Sequence, residues 1–209
     1  GSPWHYTLRH VFYIIFSLSI GFFVYIIPVR FWFDTSVFWL LVAIALLMFV
    51  LIPGIGREIN GSQRWLPLGV ISFQPSEFAK FAIITFLSGY LVRHNESISR
   101  DWFSFLKPVL VTLAMAVLLL MEPDFGAAVI VIGTVSTMLF LAGVRLIHFF
   151  CVAAVAAGAL TILAVSAPYR VQRLVAYVDP WSDPYANGYQ LVQSLIAFGR
   201  GDWFGVGLG

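Results

Sequence analysis

The sequence predicts an all-α polytopic membrane protein, a helical bundle with about six transmembrane helices. Three observations carry that prediction. Of the 209 residues, 60% are hydrophobic and only 11% are charged. A soluble domain carries about 25% charged residues, so lipid is the expected solvent, and the mean hydropathy is +0.92. Apolar runs recur along the whole chain at lengths suited to a bilayer, which takes about 20 residues of helix to cross. The runs also lack the strict alternation of a transmembrane barrel, and an open sheet edge is not viable in hydrocarbon.

Four runs fit a span directly: residues 11–29, 36–55, 125–144 and 146–167. Two shorter ones, 78–92 and 108–121, sit between clear spans and have flanks that extend them, which brings the number to six. There is no internal repeat and no second domain in the pattern; residues 1–209 read as a single membrane domain. The lack of an initiating Met, the lack of a signal peptide and the ending "GVGLG" lead us to expect an internal piece of a longer membrane protein. The formal net charge of +2 is too small to suggest nucleic acid as a partner. The single Cys151 can form no internal disulfide and reads as a small core or lipid-facing residue.

Six crossings sort the polar loops onto two sides. One side carries Arg30, Arg93, Arg100, Lys107 and Arg145; the other carries Arg9, Arg57, Arg64, Lys80, Arg170, Arg173 and Arg200. Read literally, the positive-inside rule puts the second side in the cytoplasm. That rule weakens for long loops, and basic residues kept for an anionic ligand distort the count.

The chemistry-bearing residues cluster in the second group of loops. Residues 56–76 are rich in Gly and Pro, which predicts sharp turns. Arg57 and Arg64 are suited to bidentate contact with phosphate or carboxylate. Pro75 fits the first position of a helix with Glu77 in its first turn. Glu77 and Lys80 then share a face, either as a structural pair or as a cation site facing a cavity. In "MEPDFG", Pro123 ends one helix and Asp124 caps the next. His5, His10, His94 and His148 are scattered, with no metal-ligand spacing.

The segment 168–209 is expected to be a large loop that leads into another helix. In "VDPWSDPYANGYQ" each of two aspartates precedes a proline. Proline biases the residue before it to extended backbone and lacks an N–H of its own, so Asp179 and Asp183 are expected to be held in place and unpaired. Arg170 and Arg173 fall on one face if their segment is helical. Gln190, Gln193 and Ser194 recur at helical spacing, a polar stripe suited to lining a groove. Two such acids are as readily turn-formers and caps as catalysts.

The stretches "GIGREINGSQRWLPLG", "FQPSEFAK", "EPDFG" and "DPWSDPYANGYQLVQSLIAFGRGDWFGVGLG" together resemble the SEDS family (shape, elongation, division, sporulation), and the last of them resembles its division branch rather than its elongation branch. The resemblance implies a fragment of a ten-helix fold, its second to seventh helices, with 56–76 and 168–209 as external loops. It implies a peptidoglycan glycosyltransferase in the bacterial cytoplasmic membrane at the division septum. The substrate would be lipid II, and the partners a class B penicillin-binding protein, other divisome membrane proteins and membrane lipid. It also reverses the orientation given by charge counting.

Residue by residue, the resemblance marks Asp183 as the essential aspartate and Arg57, Arg64, Glu77 and Lys80 as substrate-binding. Gln190, Gln193 and Ser194 are expected to line the substrate groove. Asp179, Arg170 and Arg173 are secondary candidates, and a divalent cation, Mg or Mn, is an open cofactor. A lipid II flippase and a non-catalytic divisome scaffold are the competing readings.

Overall fold

The computed structural model describes residues 4–59, 62–68, 71–203 and 205–206. Each of the six predicted spans is a helix: α1 (Trp4–Ile26), α3 (Ser36–Val50), α4 (Pro75–Arg93), α5 (Trp102–Met121), α6 (Phe125–Leu141) and α7 (Leu146–Val165), with a short α2 (Val29–Asp34) between the first two. Segments Thr7–Ile26, Trp102–Met121 and Leu146–Val165 are long and apolar enough to cross a membrane, while Ser36–Val50 and Phe125–Leu141 are shorter apolar helices. The chain divides into two compact units, residues 1–26 with 158–209, and 27–157.

Several boundaries differ from the sequence expectation, each for a local reason. The first run does not continue to 29, because Pro28 takes an extended conformation (φ −62°, ψ 140°) and begins a separate helix, α2. The second stops at Val50 rather than 55, since Pro53 and Gly54 follow in a turn. Conversely, α5 starts six residues before Pro108, at Trp102. Asp101 caps that start by accepting from Phe103 N at 3.3 Å and Ser104 N at 3.0 Å. Pro108 has no N–H for the Ser104 carbonyl four residues back. The Tyr90 hydroxyl of α4 donates to that carbonyl at 2.8 Å instead, so the proline sits buried inside the helix without an orphaned acceptor.

In the larger unit, α4 packs against α3 and α6, and α5 against α6. Ala79, Ala82, Ile83, Phe86, Leu87 and Tyr90 are buried along one face of α4 at helical spacing. Ala43 and Leu47 of α3 and Ala128 and Val131 of α6 join them in the core. Small residues let helix backbones approach closely where hydrocarbon gives no hydrophobic drive between helices. Segments Thr7–Ile26 of α1 and Leu146–Val165 of α7 contain no buried residue, and Cys151 on α7 is exposed.

The predicted loop 56–76 holds a three-stranded antiparallel meander, β1 (Arg57–Ile59), β2 (Ser62–Leu68) and β3 (Ile71–Phe73), in the order β1-β2-β3. Arg57 pairs with Trp65 and Leu66 with Phe73, with a bulge between Arg57 and Glu58. A three-residue strand carries too little pattern to be seen in sequence, and a proline such as Pro67 in β2 is ordinarily confined to edge strands and bulges.

In the smaller unit, the segment 168–209 is largely helical: α8 (Pro168–Val178), a 3-10 turn (Pro180–Ser182) and α9 (Tyr189–Gly201). Gly188 joins the turn to α9. A Cβ there would lie 2.2 Å from the Pro180 carbonyl oxygen and 2.8 Å from that of Asp183, so only glycine fits.

Candidate functional sites

In the larger unit, polar side chains gather where β2, the start of α4 and the α5–α6 turn meet. Pro75 occupies the first position of α4, as expected, with Gln74 before it in extended backbone (φ −107°, ψ 108°). Asp124 ties three elements together. Its Oδ1 accepts from Ala127 N at 3.2 Å, capping α6. Its Oδ2 accepts from Ser76 Oγ at 3.1 Å and Gln74 Nε2 at 3.3 Å, at the entry of α4.

Arg64 reaches the same turn from β2. Its Nε donates to the Glu122 carbonyl at 3.1 Å, one terminal nitrogen donates to the Pro123 carbonyl, and the other lies 3.9 Å from Asp124 Oδ1. The guanidinium expected to bind an anionic ligand is therefore engaged by the turn. The next residues of α4 carry the predicted ion pair, with Lys80 Nζ 2.8 Å from Glu77 Oε2. Lys80 is largely buried and Glu77 largely exposed. Arg57 is exposed on β1 and makes no side-chain hydrogen bond or ion pair among the described residues.

Glu122 was read in sequence only as part of a tight turn. The fold buries it completely, and neither carboxyl oxygen has a hydrogen-bond partner among the described residues. Its signal in sequence was a carboxylate at the end of an apolar run, where ionisable groups are costly. Burial, and then the Asp124 carboxylate, push the Glu122 carboxyl up to about 8, against a smaller opposing pull from Arg64. A carboxyl that holds its proton more tightly folded than unfolded gives its full contribution below its ordinary value and loses it as pH rises through the folded one. Stability is thus expected to fall as pH rises from 4.5 to about 8. Glu122→Gln, a neutral isostere, should flatten that slope and gain on the order of a few kcal/mol at about pH 8. Thermal unfolding of both proteins in detergent from about pH 5 to 9 reads this directly; parallel curves would contradict it.

In the smaller unit, Asp179 and Asp183 flank the 3-10 turn outside the helical region (φ −134°, ψ 83° and φ −142°, ψ 68°), with ψ short of the fully extended backbone that the prolines predict. The Asp179 carbonyl accepts from Ser182 Oγ at 2.7 Å. The Asp179 carboxylate has no partner among the described residues. Asp183, expected to be unpaired, is not. Its Oδ2 accepts from both Asn187 N and Asn187 Nδ2, each at 3.1 Å. Asn-Gly is a turn dipeptide, and this turn brings the side chain back onto the carboxylate. Asn187 is the residue the sequence reading missed here, and "DPYANG" held its only signal.

Asp183, Gln172, Ser182 and Asn187 line a cavity of about 210 Å³. Asn187 also lines a neighbouring cavity of about 310 Å³ with Tyr177, Gln190 and Ser194. The polar stripe of α9 is thus divided: Gln190 and Ser194, one turn apart, face the cavity, and the exposed Gln193 does not line it. No Lys or Arg lines either cavity among the described residues. Arg170 donates to the Leu163 carbonyl near the end of α7 and to the Tyr169 hydroxyl at 3.0 Å; the Arg173 side chain is outside the described ones. No group of three His, Cys, Asp or Glu side chains placed to hold a metal ion occurs among the described residues.

The family model for FtsW, RodA and SpoVE, described as "Cell cycle protein", matches residues 1–209. A probable peptidoglycan glycosyltransferase FtsW of Legionella pneumophila is 51% identical over 208 residues, covering 100% of this chain and 53% of that one. A Pseudomonas fluorescens protein of the same description is 46% identical, over 100% of this chain and 51% of its own. The chain spans about half the length of these relatives. Among solved structures, one described as "Structural coordination of polymerization and crosslinking by a peptidoglycan synthase complex" has a chain with a TM-score of 0.71 and 31% identity, covering 94% of this chain and 57% of that one. The Thermus thermophilus rod shape determining protein RodA gives 0.61 and 31%, over 70% of this chain and 46% of its own. Matched along its whole length, this chain belongs to the FtsW/RodA/SpoVE cell-cycle proteins, the SEDS family, and is FtsW-like within it.

Proposed function

We propose that the protein containing this chain is a peptidoglycan glycosyltransferase that polymerises lipid II during septal wall synthesis. The observation that carries this reading is Asp183: a carboxylate held by one oxygen, lining a cavity with the polar Gln172, Ser182 and Asn187 and the apolar Val171, Val175 and Ala176, in a chain whose relatives are named probable peptidoglycan glycosyltransferases.

The chemistry needs little from the protein. Asp183 takes the proton of the acceptor sugar hydroxyl as that oxygen bonds to the anomeric carbon of the donor. The bond from that carbon to the diphosphate oxygen breaks, and undecaprenyl diphosphate leaves with the electron pair. A direct displacement by the acceptor oxygen, assisted by one carboxylate as base, inverts the anomeric centre, whereas a double displacement uses a second, nucleophilic carboxylate. The departing charge needs cations in a water-poor site. In the larger unit, the candidates for that role are Lys80, steadied by Glu77, and the exposed Arg57, while Arg64 fixes the turn at the entry of α4. Gln190 and Ser194, which line the neighbouring cavity, meet the sugar, while Asp179, Arg170 and Gln193 line neither cavity. A divalent cation on the diphosphate fits the same scheme, and a rate unchanged by thorough chelation would remove it.

The protein would act in the bacterial cytoplasmic membrane at the septum with its Asp183 loop outside. A class B penicillin-binding protein would crosslink the product, in keeping with the polymerization and crosslinking named for the related complex. Purified full-length protein, with and without that partner, should convert lipid II to glycan polymer on a gel. Translocation of fluorescent lipid II across vesicles without polymer would favour a flippase; neither activity would favour a scaffold.

A further inference from the structure

The two hydrogen bonds from Asn187 to Asp183 end on the same oxygen, Oδ2. Oδ1 of Asp183 accepts none among the described residues. The backbone arrangement that makes this happen is tightly constrained. The Gly188 N–H donates to the Asp183 carbonyl at 3.0 Å, closing the loop that carries Asn187 back over Asp183. Gly188 is packed so closely on Pro180 and Asp183 that no side chain fits, which leaves Asn187 little freedom to swing away. Asn187 also lines both cavities, the one that holds Asp183 and the one that holds Gln190 and Ser194.

We infer that Asn187 is a positioning residue for Asp183: it clamps Oδ2 and so presents Oδ1 to the acceptor hydroxyl. This rests on Asp183 acting as the base of the proposed reaction. A carboxylate on a flexible loop has two rotatable bonds and two equivalent oxygens. Hydrogen bonds to an ionised acceptor are stronger than those between neutral groups, and here two of 3.1 Å converge on one oxygen. Two of them on one oxygen break the equivalence and fix the plane of the carboxylate. A base must lie within hydrogen-bond reach of the proton it takes, so its orientation enters the rate directly. Asn187 does not itself take the proton. In Asn187→Ala the backbone N–H still donates, but the side-chain donor is gone and the carboxylate can rotate.

The test uses the full-length protein, with lipid II polymerisation measured against substrate concentration. Asn187→Ala is expected to lower kcat about 10-fold with KM within about 2-fold, the signature of an interaction needed at the transition state. Asn187→Ser keeps a short side-chain donor and should restore most of the rate. Asn187→Asp has the same shape but sets a second carboxylate against the first, and should lower kcat about 100-fold. A structural role alone would order the variants by thermal midpoint rather than by donor capacity. The inference is overturned if Asn187→Ala keeps the wild-type kcat, or if Asn187→Ser is no better than Asn187→Ala. If Asn187→Ala fails to fold, Asn187→Asp decides: a kcat lowered about 100-fold supports the inference, and a wild-type kcat overturns it. Asp183→Asn measured in parallel separates the two failures. A fully active Asp183→Asn removes the base assignment itself, whereas an inactive Asp183→Asn with a fully active Asn187→Ala removes only the positioning role.

Discussion

Asp183→Asn is expected to lower the rate of lipid II polymerisation by about 10³-fold, within the range that a positioned general base contributes. The substitution is isosteric. Its amide oxygen can still accept the two Asn187 hydrogen bonds that now end on Asp183 Oδ2, so the turn and the start of α9 should persist. What the amide lacks is the ability to take a proton from the acceptor hydroxyl. The loss should therefore fall on kcat, with lipid II binding little changed. Gel analysis of the glycan product over a substrate series checks both quantities. A variant polymerising at the wild-type rate would remove Asp183 from the chemistry and leave it as a turn residue, and cell division restored by such a variant would point the same way.

Asp124→Ala is expected to be the most destabilising single change at the polar cluster, by about 3 kcal/mol. Three contributions combine. The cap on Ala127 N at the start of α6 is lost, which costs about 1 kcal/mol. Ser76 Oγ and Gln74 Nε2 lose a charged acceptor at the entry of α4, and hydrogen bonds to charged groups are worth about 1.5–3 kcal/mol each before relaxation. Arg64 then keeps only the turn carbonyls as partners. Asp124→Asn retains the cap acceptor and should recover part of the loss. The melting midpoint in detergent should fall by about 6–12 °C for Asp124→Ala, and a shift under about 1 °C would show that the junction is not held by this residue. Because Ser76 directly precedes Glu77, the same variant should also weaken the placement of Lys80.

These two residues differ in how much of their role sequence alone revealed. Asp124 was legible as a helix cap, because a capping residue, its proline and the helix it starts are contiguous. Its bonds to Ser76 and Gln74, 48 and 50 residues away, were not. Arg64 shows the same limit from the other side. A Gly- and Pro-rich loop with an arginine suits an anion site, yet β2 carries that guanidinium to the carbonyls of the α5–α6 turn, 58 residues on. Asp183 was legible as a placed carboxylate from the prolines beside it, but its partner lay in a dipeptide that marks only a turn.

By itself the sequence determined the membrane-spanning character, the six helices and the pairing of Glu77 with Lys80. All three depend on the composition and spacing of neighbouring residues, which a helix converts directly into faces. Helix ends were the part it misplaced, where Pro28, Pro53 and Pro108 met different neighbours. Only the tertiary structure decided that Pro108 sits inside α5, because the carbonyl it orphans is satisfied by Tyr90 from α4. Only the fold buried Glu122 with no hydrogen-bond partner among the described residues, and turned Arg64 from a free cation into a brace. A polar group's role depends on which distant group completes its hydrogen bonds, and that is settled when helices and strands pack together.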